Sequence, residues 1–126
     1  MSHSPAFLAL IESLRPGVRE ISVQQTRDRL QKNPALHLVD VREDSEWTAG
    51  HAAGAIHLGK GVIERDIETA IPDRGAELVL YCGGGFRSVL AADALQKMGY
   101  TNVASMAGGW REWTAAGAPV AILTGR

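Results

Sequence analysis

The chain has 126 residues, of which 45% are hydrophobic and 21% charged, and its 13 basic and 14 acidic side chains leave a net charge of −1. That is the size of one domain able to bury roughly two-thirds of its unfolded surface, and the near-neutral charge excludes the basic footprint of a nucleic-acid or anionic-membrane binder. A single cysteine excludes an intramolecular disulfide framework, cannot build a zinc cluster by itself, and points to a reducing, cytoplasmic setting.

The amino terminus reads MSHSPAFLALIESLRPG. Its apolar run Ala6–Ile11 is short, lacks a basic start and is broken by Glu12, so it does not describe an export signal. Ser4 as N-cap, Pro5 at the first helical position and Phe7, Leu8, Ile11 and Leu14 on one face predict an amphipathic helix stopped by Pro16-Gly17. Residues 1–17 are thus a helical extension, and residues 18–126 form the domain. No stretch is long enough to span a bilayer.

Val18–Ile21 reads as a weak strand, and Ser22 with Gln25 as a capping box opening a helix with Val23, Thr26 and Leu30 on one face. Leu36–Val41 has the unbroken apolar character of a strand covered on both sides. Asp44–Trp47 suits a short helix closed by Gly50, Ala55–Leu58 a brief strand, and Ile63, Ile67 and Ile71 a helix ended by Pro72. Glu77–Tyr81 is a second buried strand. Ser88–Met98 is a helix with Ala91, Leu95 and Met98 inward, Val103–Met106 a last strand, and AGGWREWTAAGAPV a helix carrying Trp110 and Trp113 on one face. Strands alternating with helices predict an α/β domain with a mainly parallel five-stranded sheet flanked by helices on both faces.

The stretch YCGGGFRS (residues 81–88) places Cys82 at the carboxyl end of a strand, where open α/β sheets gather their ligands. The following helix begins at about Arg87, and its unpaired amides and dipole favour a thiolate. Gly83, Gly84 and Gly85 have no Cβ, so their backbone is free to take positive φ and turn successive N–H groups inward as an anion cradle, with Arg87 adding a forked cation. Taken singly, a buried cysteine, a glycine turn and a solvated arginine are ordinary structural features. Joined in this register they point to an anion site.

This loop resembles the cysteine-first, six-residue active-site loop of the rhodanese domain. Three further motifs match in order: DVRE (Asp40–Glu43), GHAAGAIHL (Gly50–Leu58) and GGWREWTAAGAPV (Gly108–Val120). The resemblance covers roughly residues 18–121 and implies a sulfurtransferase. In it, Cys82 takes a sulfane sulfur from a donor as a persulfide and passes it to an acceptor, a ping-pong scheme requiring no cofactor and no metal. The amides from Gly83 to Ser88, Phe86 included, would stabilise the outer sulfur. Implied partners are a small donor such as thiosulfate, a thiol or cyanide acceptor, or a protein persulfide or thioredoxin-like protein.

Two alternatives stand beside it. Phosphatases and arsenate reductases resemble Cys-x5-Arg, whereas four residues separate Cys82 from Arg87 here, a bowl better sized for one sulfur than for phosphate. A rhodanese-like sulfur carrier or binding module with little turnover would dock a partner through Phe86 and the first helix. Gly83 stands where many thiosulfate-using relatives place a basic residue directly after the cysteine. CGGG partly resembles the loop start of mercaptopyruvate-using relatives, but Phe86-Arg87 replaces their Val-Thr. The natural donor therefore stays open.

Among supporting residues, the resemblance makes Asp40 an anchor of the fold, while Arg42 belongs either to a surface ion pair or to the pocket rim. His51 and His57 fall in a structural element, Ser88 either donates to the persulfide or begins the helix, and the run Gly59–Glu68 is placed beside the pocket. Trp110 and Trp113 read as core, Trp47 as core or pocket edge, and the first helix as folding back on its own domain.

Overall fold

Short apolar runs of alternating facing build a sheet buried on both sides, described for residues 3–122 by a computed structural model. In chain order the elements are α1 (Pro5–Leu14), a 3-10 turn (Arg15–Gly17), β1 (Arg19–Ile21), α2 (Val23–Lys32), β2 (His37–Asp40), α3 (Asp44–Ala49) and β3 (His51–Ala52). There follow β4 (Ile56–His57), α4 (Ile63–Ala70), β5 (Leu78–Tyr81), α5 (Arg87–Lys97), β6 (Val103–Met106), α6 (Gly109–Ala115) and β7 (Val120–Ala121). The main sheet is five-stranded and parallel throughout, in the order β1-β6-β5-β2-β4.

Leu78 and Leu80 of β5 point with Val39 of β2 into a core shared with Ile63 and Ile67 of α4, Val89 and Leu95 of α5, and Ile11 of α1. Val79 and Tyr81 point the other way, onto a core with Leu38, Met106 and Trp113 beneath α2 and α6. Successive strand residues therefore serve opposite cores, which is why these runs read as continuously apolar.

Helix ends follow their local chemistry. The Ser4 hydroxyl accepts from the Phe7 amide, and Ser22 and Gln25 close a complete capping box. Of the expected stripe on α1, Phe7, Ile11 and Leu14 face the domain while Leu8 stays 38% exposed, since the helix meets α5 along a narrow seam. A two-stranded antiparallel ribbon, β3 with β7, was not anticipated. None of the described helices is long and apolar enough to cross a membrane.

The strand order creates a crevice. From β2 the chain crosses to β4 on one side, and from β5 it crosses through α5 to β6 on the other. Connections leaving adjacent strands in opposite directions open a crevice at their carboxyl ends. The segments after β2 and β5 meet there.

Candidate active site

Cys82 continues the facing of Leu78 and Leu80, so its side chain turns toward α5 and is only 1% exposed. Its Sγ accepts from the backbone N–H of Gly85 at 3.2 Å and of Ser88 at 3.4 Å. The Ser88 hydroxyl lies 3.5 Å from Sγ and 2.8 Å from the Ser105 hydroxyl, so Ser88 both belongs to the first turn of α5 and stands against the sulfur.

The other side of the loop is tied to α6. The amides of Trp110 and Arg111 donate to the carbonyls of Cys82 at 2.7 Å and Gly83 at 3.1 Å. With these carbonyls turned to α6, the amides of Gly83, Gly84, Phe86 and Arg87 have no protein acceptor among the described residues. The glycines divide the work unevenly. Within the loop only Gly85 takes a left-handed φ, +96°, against the backbone of Gly108, whereas a Cβ on Gly83 would stand 3.2 Å from Arg87 Nη2. Gly109, at φ +50°, permits the approach of α6: a Cβ there would lie 2.3 Å from the Cys82 carbonyl oxygen.

Arg87 is not an uncommitted fork. Its Nη1 and Nη2 donate to the two oxygens of Glu46 on α3, at 2.9 and 3.2 Å. The hydrogen bonds from Arg87 hold the Glu46 carboxyl below its usual range, and the same pairing raises Arg87. Sequence reasoning missed Glu46, for which only an acidic residue in the first turn of a short helix was legible.

The cleft above Cys82 has a volume of about 590 Å³. It is lined by Cys82, Gly83, Gly84, Phe86 and Arg87 of the loop, by Arg111 of α6, and by His3, Ser4 and Phe7 at the start of the chain's first helix. His3 and Arg111 carried no signal in the sequence. The run Gly59–Glu68, expected beside this cleft, contributes none of its lining. The Phe86 ring is likewise not a free outward rim: it packs 4.6 Å from His3 and 6.2 Å from Phe7, with the Arg15 guanidinium 5.5 Å from its centre.

Asp40 ends β2 and Arg42 follows it; both are buried, and neither lines the cleft. The Arg42 guanidinium donates to both Asp40 oxygens, at 2.8 to 3.1 Å, and to the Gly50 carbonyl at 2.6 Å, and stacks 4.6 Å from the Trp110 ring. At 0% and 3% exposure this pair is neither a surface bridge nor a pocket rim. It joins the segment after β2 to α6, where Trp113 is buried as expected and Trp110 serves as the stacking partner. Beside it, burial pushes Tyr81 well above the ordinary range of a phenol, and its hydroxyl accepts from the Ala52 amide.

His51 and His57 do not approach Cys82. Their imidazoles stack with Trp47 at 3.4 and 5.1 Å and bond the carbonyls of Trp47 and Arg42. Among the described residues no group of three or more His, Cys, Asp or Glu side chains is placed to hold a metal.

An α/β domain with a lone cysteine cradled at a strand end defines a class of cysteine-loop protein, and the comparisons specify which. The family model for the rhodanese-like domain matches residues 22–116, and the chain belongs to that family. The Bacillus subtilis protein YtwF, named as a sulfurtransferase, is 32% identical over 96 residues, covering 76% of this chain and 90% of its own. The thiosulfate sulfurtransferase PspE of Escherichia coli is 36% identical over 74 residues, covering 59% and 71%. YrkF of B. subtilis, named as a sulfur carrier, is 29% identical, and the chain spans about half (51%) of its length. The structure of RPA3614 from Rhodopseudomonas palustris, described as of unknown function and a possible tyrosine phosphatase, superposes with a TM-score of 0.82 at 26% identity, covering 96% of this chain and 98% of that one.

Proposed function

We propose that the domain over residues 18–126 is a sulfurtransferase whose nucleophile is Cys82, working in a reducing, cytoplasmic compartment. The observation that carries this reading is the pair of amides, Gly85 and Ser88, already aimed at Sγ beneath an open cleft. Two N–H donors stabilise a sulfur anion without a general base, and four further loop amides without protein acceptors are available to a sulfur one bond farther out.

In the first half-reaction the Cys82 thiolate attacks the sulfane sulfur of a donor such as thiosulfate. A new S–S bond forms at Sγ, and the donor's own S–S bond breaks with its electron pair leaving on sulfite. In the second, a thiol or cyanide attacks the outer sulfur and the Cys82 thiolate departs with the bonding pair. No oxidant and no metal enters. The relatives named as sulfurtransferases and as a sulfur carrier support this chemistry, and protein persulfides or thioredoxin-like thiols fit the same cycle.

The test is thiocyanate formation from thiosulfate and cyanide. The expected result is steady turnover by the native protein and none by Cys82→Ser. Turnover by that variant would refute the assignment. Hydrolysis of an aryl phosphate by the native protein, with no thiocyanate, would move the site to phosphatase chemistry.

A further inference from the structure

The cleft is larger and more varied than a single sulfur anion needs. A volume of about 590 Å³ falls in the range of sites that enclose organic molecules. Its charges are also unequal. Arg87 has both terminal nitrogens on Glu46, whereas Arg111, which also lines the cleft, makes no ion pair among the described residues. The Arg111 backbone is pinned by its amide to the Gly83 carbonyl, and its Nη2 stands 3.7 Å from where a Gly84 Cβ would be, which places the guanidinium over the loop. Beside it the lining is aromatic: a Gly84 Cβ would also lie 3.8 Å from the Phe86 ring, and Phe7, from a helix that lies outside the family match, joins Phe86 and the His3 ring.

We propose that this cleft is an amphipathic donor subsite: Arg111 docks the anionic leaving group, and the Phe7–Phe86 wall packs an apolar substituent. The preferred donor is then an organic sulfane-sulfur anion rather than bare thiosulfate. The inference rests on Cys82 being the sulfur-accepting nucleophile. With an aryl thiosulfonate, Sγ attacks the terminal sulfur, the donor S–S bond breaks, and its electron pair leaves on the sulfinate. Arg111 faces that developing anion while the aryl ring lies on Phe7 and Phe86. The first helix thereby acts as a specificity element.

The experiment compares benzenethiosulfonate with thiosulfate as donor, cyanide being the acceptor, in the native protein and in Arg111→Gln, Phe7→Leu and Phe7→Tyr. The native KM is expected to be about tenfold lower for benzenethiosulfonate, the size of effect expected from burying an aromatic ring against others. Arg111→Gln should raise both KM values about tenfold, the loss expected for one charge-assisted hydrogen bond. Phe7→Leu, which keeps apolar packing on α1, should raise the benzenethiosulfonate KM relative to the thiosulfate KM and so remove most of the preference; Phe7→Tyr, which keeps a ring, should retain it. Equal KM values for both donors in the native protein, or a preference unmoved by Phe7→Leu, would overturn the aromatic wall. Unchanged KM values in Arg111→Gln would overturn the docking cation. Intact mass separates these failures from a failure of the nucleophile: a native protein that gains no sulfur on Cys82 from either donor defeats the underlying reading, whereas uptake without discrimination defeats the subsite alone.

Discussion

Burial gives Asp40 and Arg42 their importance. Both are buried, so their charges are satisfied within the fold: each by the other, Asp40 also by the Arg42 backbone N–H, and Arg42 also by the Gly50 carbonyl and the Trp110 and Tyr81 rings. Substituting Asp40→Asn leaves a buried guanidinium without its counter-charge, and unfolding by urea should show a loss of about 3–5 kcal/mol. A loss under about 1 kcal/mol would contradict this picture of a dry pair. Glu46 and Arg87 are different, since both stay about one-third exposed. The folded-state Glu46 pKa lies below its ordinary 4.5, so the stabilisation is complete above that pH and is lost as pH falls through the lowered value. The stability gap between the native protein and Glu46→Gln, measured from about pH 6 to about pH 3, should therefore close toward the acid end. A gap constant with pH would mean that the charge on Glu46 does not hold Arg87.

Two elements of unequal length hold the Cys82 loop between them. The first turn of α5 presents the Ser88 amide to the sulfur, and the start of α6 takes the carbonyls of Cys82 and Gly83. Gly109→Ala strikes the second hold, because its φ of +50° and a Cβ 2.3 Å from the Cys82 carbonyl oxygen force the loop or α6 to move. A shift of about 1 Å at a reacting atom costs roughly a hundredfold in rate, and thiocyanate formation should fall by about that factor while circular dichroism stays native. Gly61→Ala, in open space with an ordinary φ, should alter neither and serves as the control. At this scale much was legible from the chain. The capping box of α2, the isoleucine stripe of α4 and the buried runs of β2, β5 and β6 declare themselves through period and caps. Strands β3 and β7, two residues each, are too short to show a period. The loop itself was recognisable, but its partners were not. Glu46 reaches Arg87 across 41 positions of sequence, Ser105 reaches Ser88 across 17, and Arg111 reads as a solvated helix residue until the fold sets it over the cleft.

The whole molecule is a sheet covered on both faces, with its chain connections diverging between β2 and β5. Glu46 after β2 and Arg87 after β5 are brought together at that divergence, from segments that no local pattern connects. The N-terminal helix adds to the arrangement by packing Ile11 into the core and setting Phe7 against Phe86. The central claim is that this framework turns one buried cysteine into an acceptor for one sulfur. Intact-mass measurement after exposure to thiosulfate tests it most directly. The native protein should gain the mass of a single sulfur atom and lose it on adding cyanide, and Cys82→Ser should gain nothing; a native protein whose mass does not change, or a gain that survives removal of the thiol, would refute this assignment.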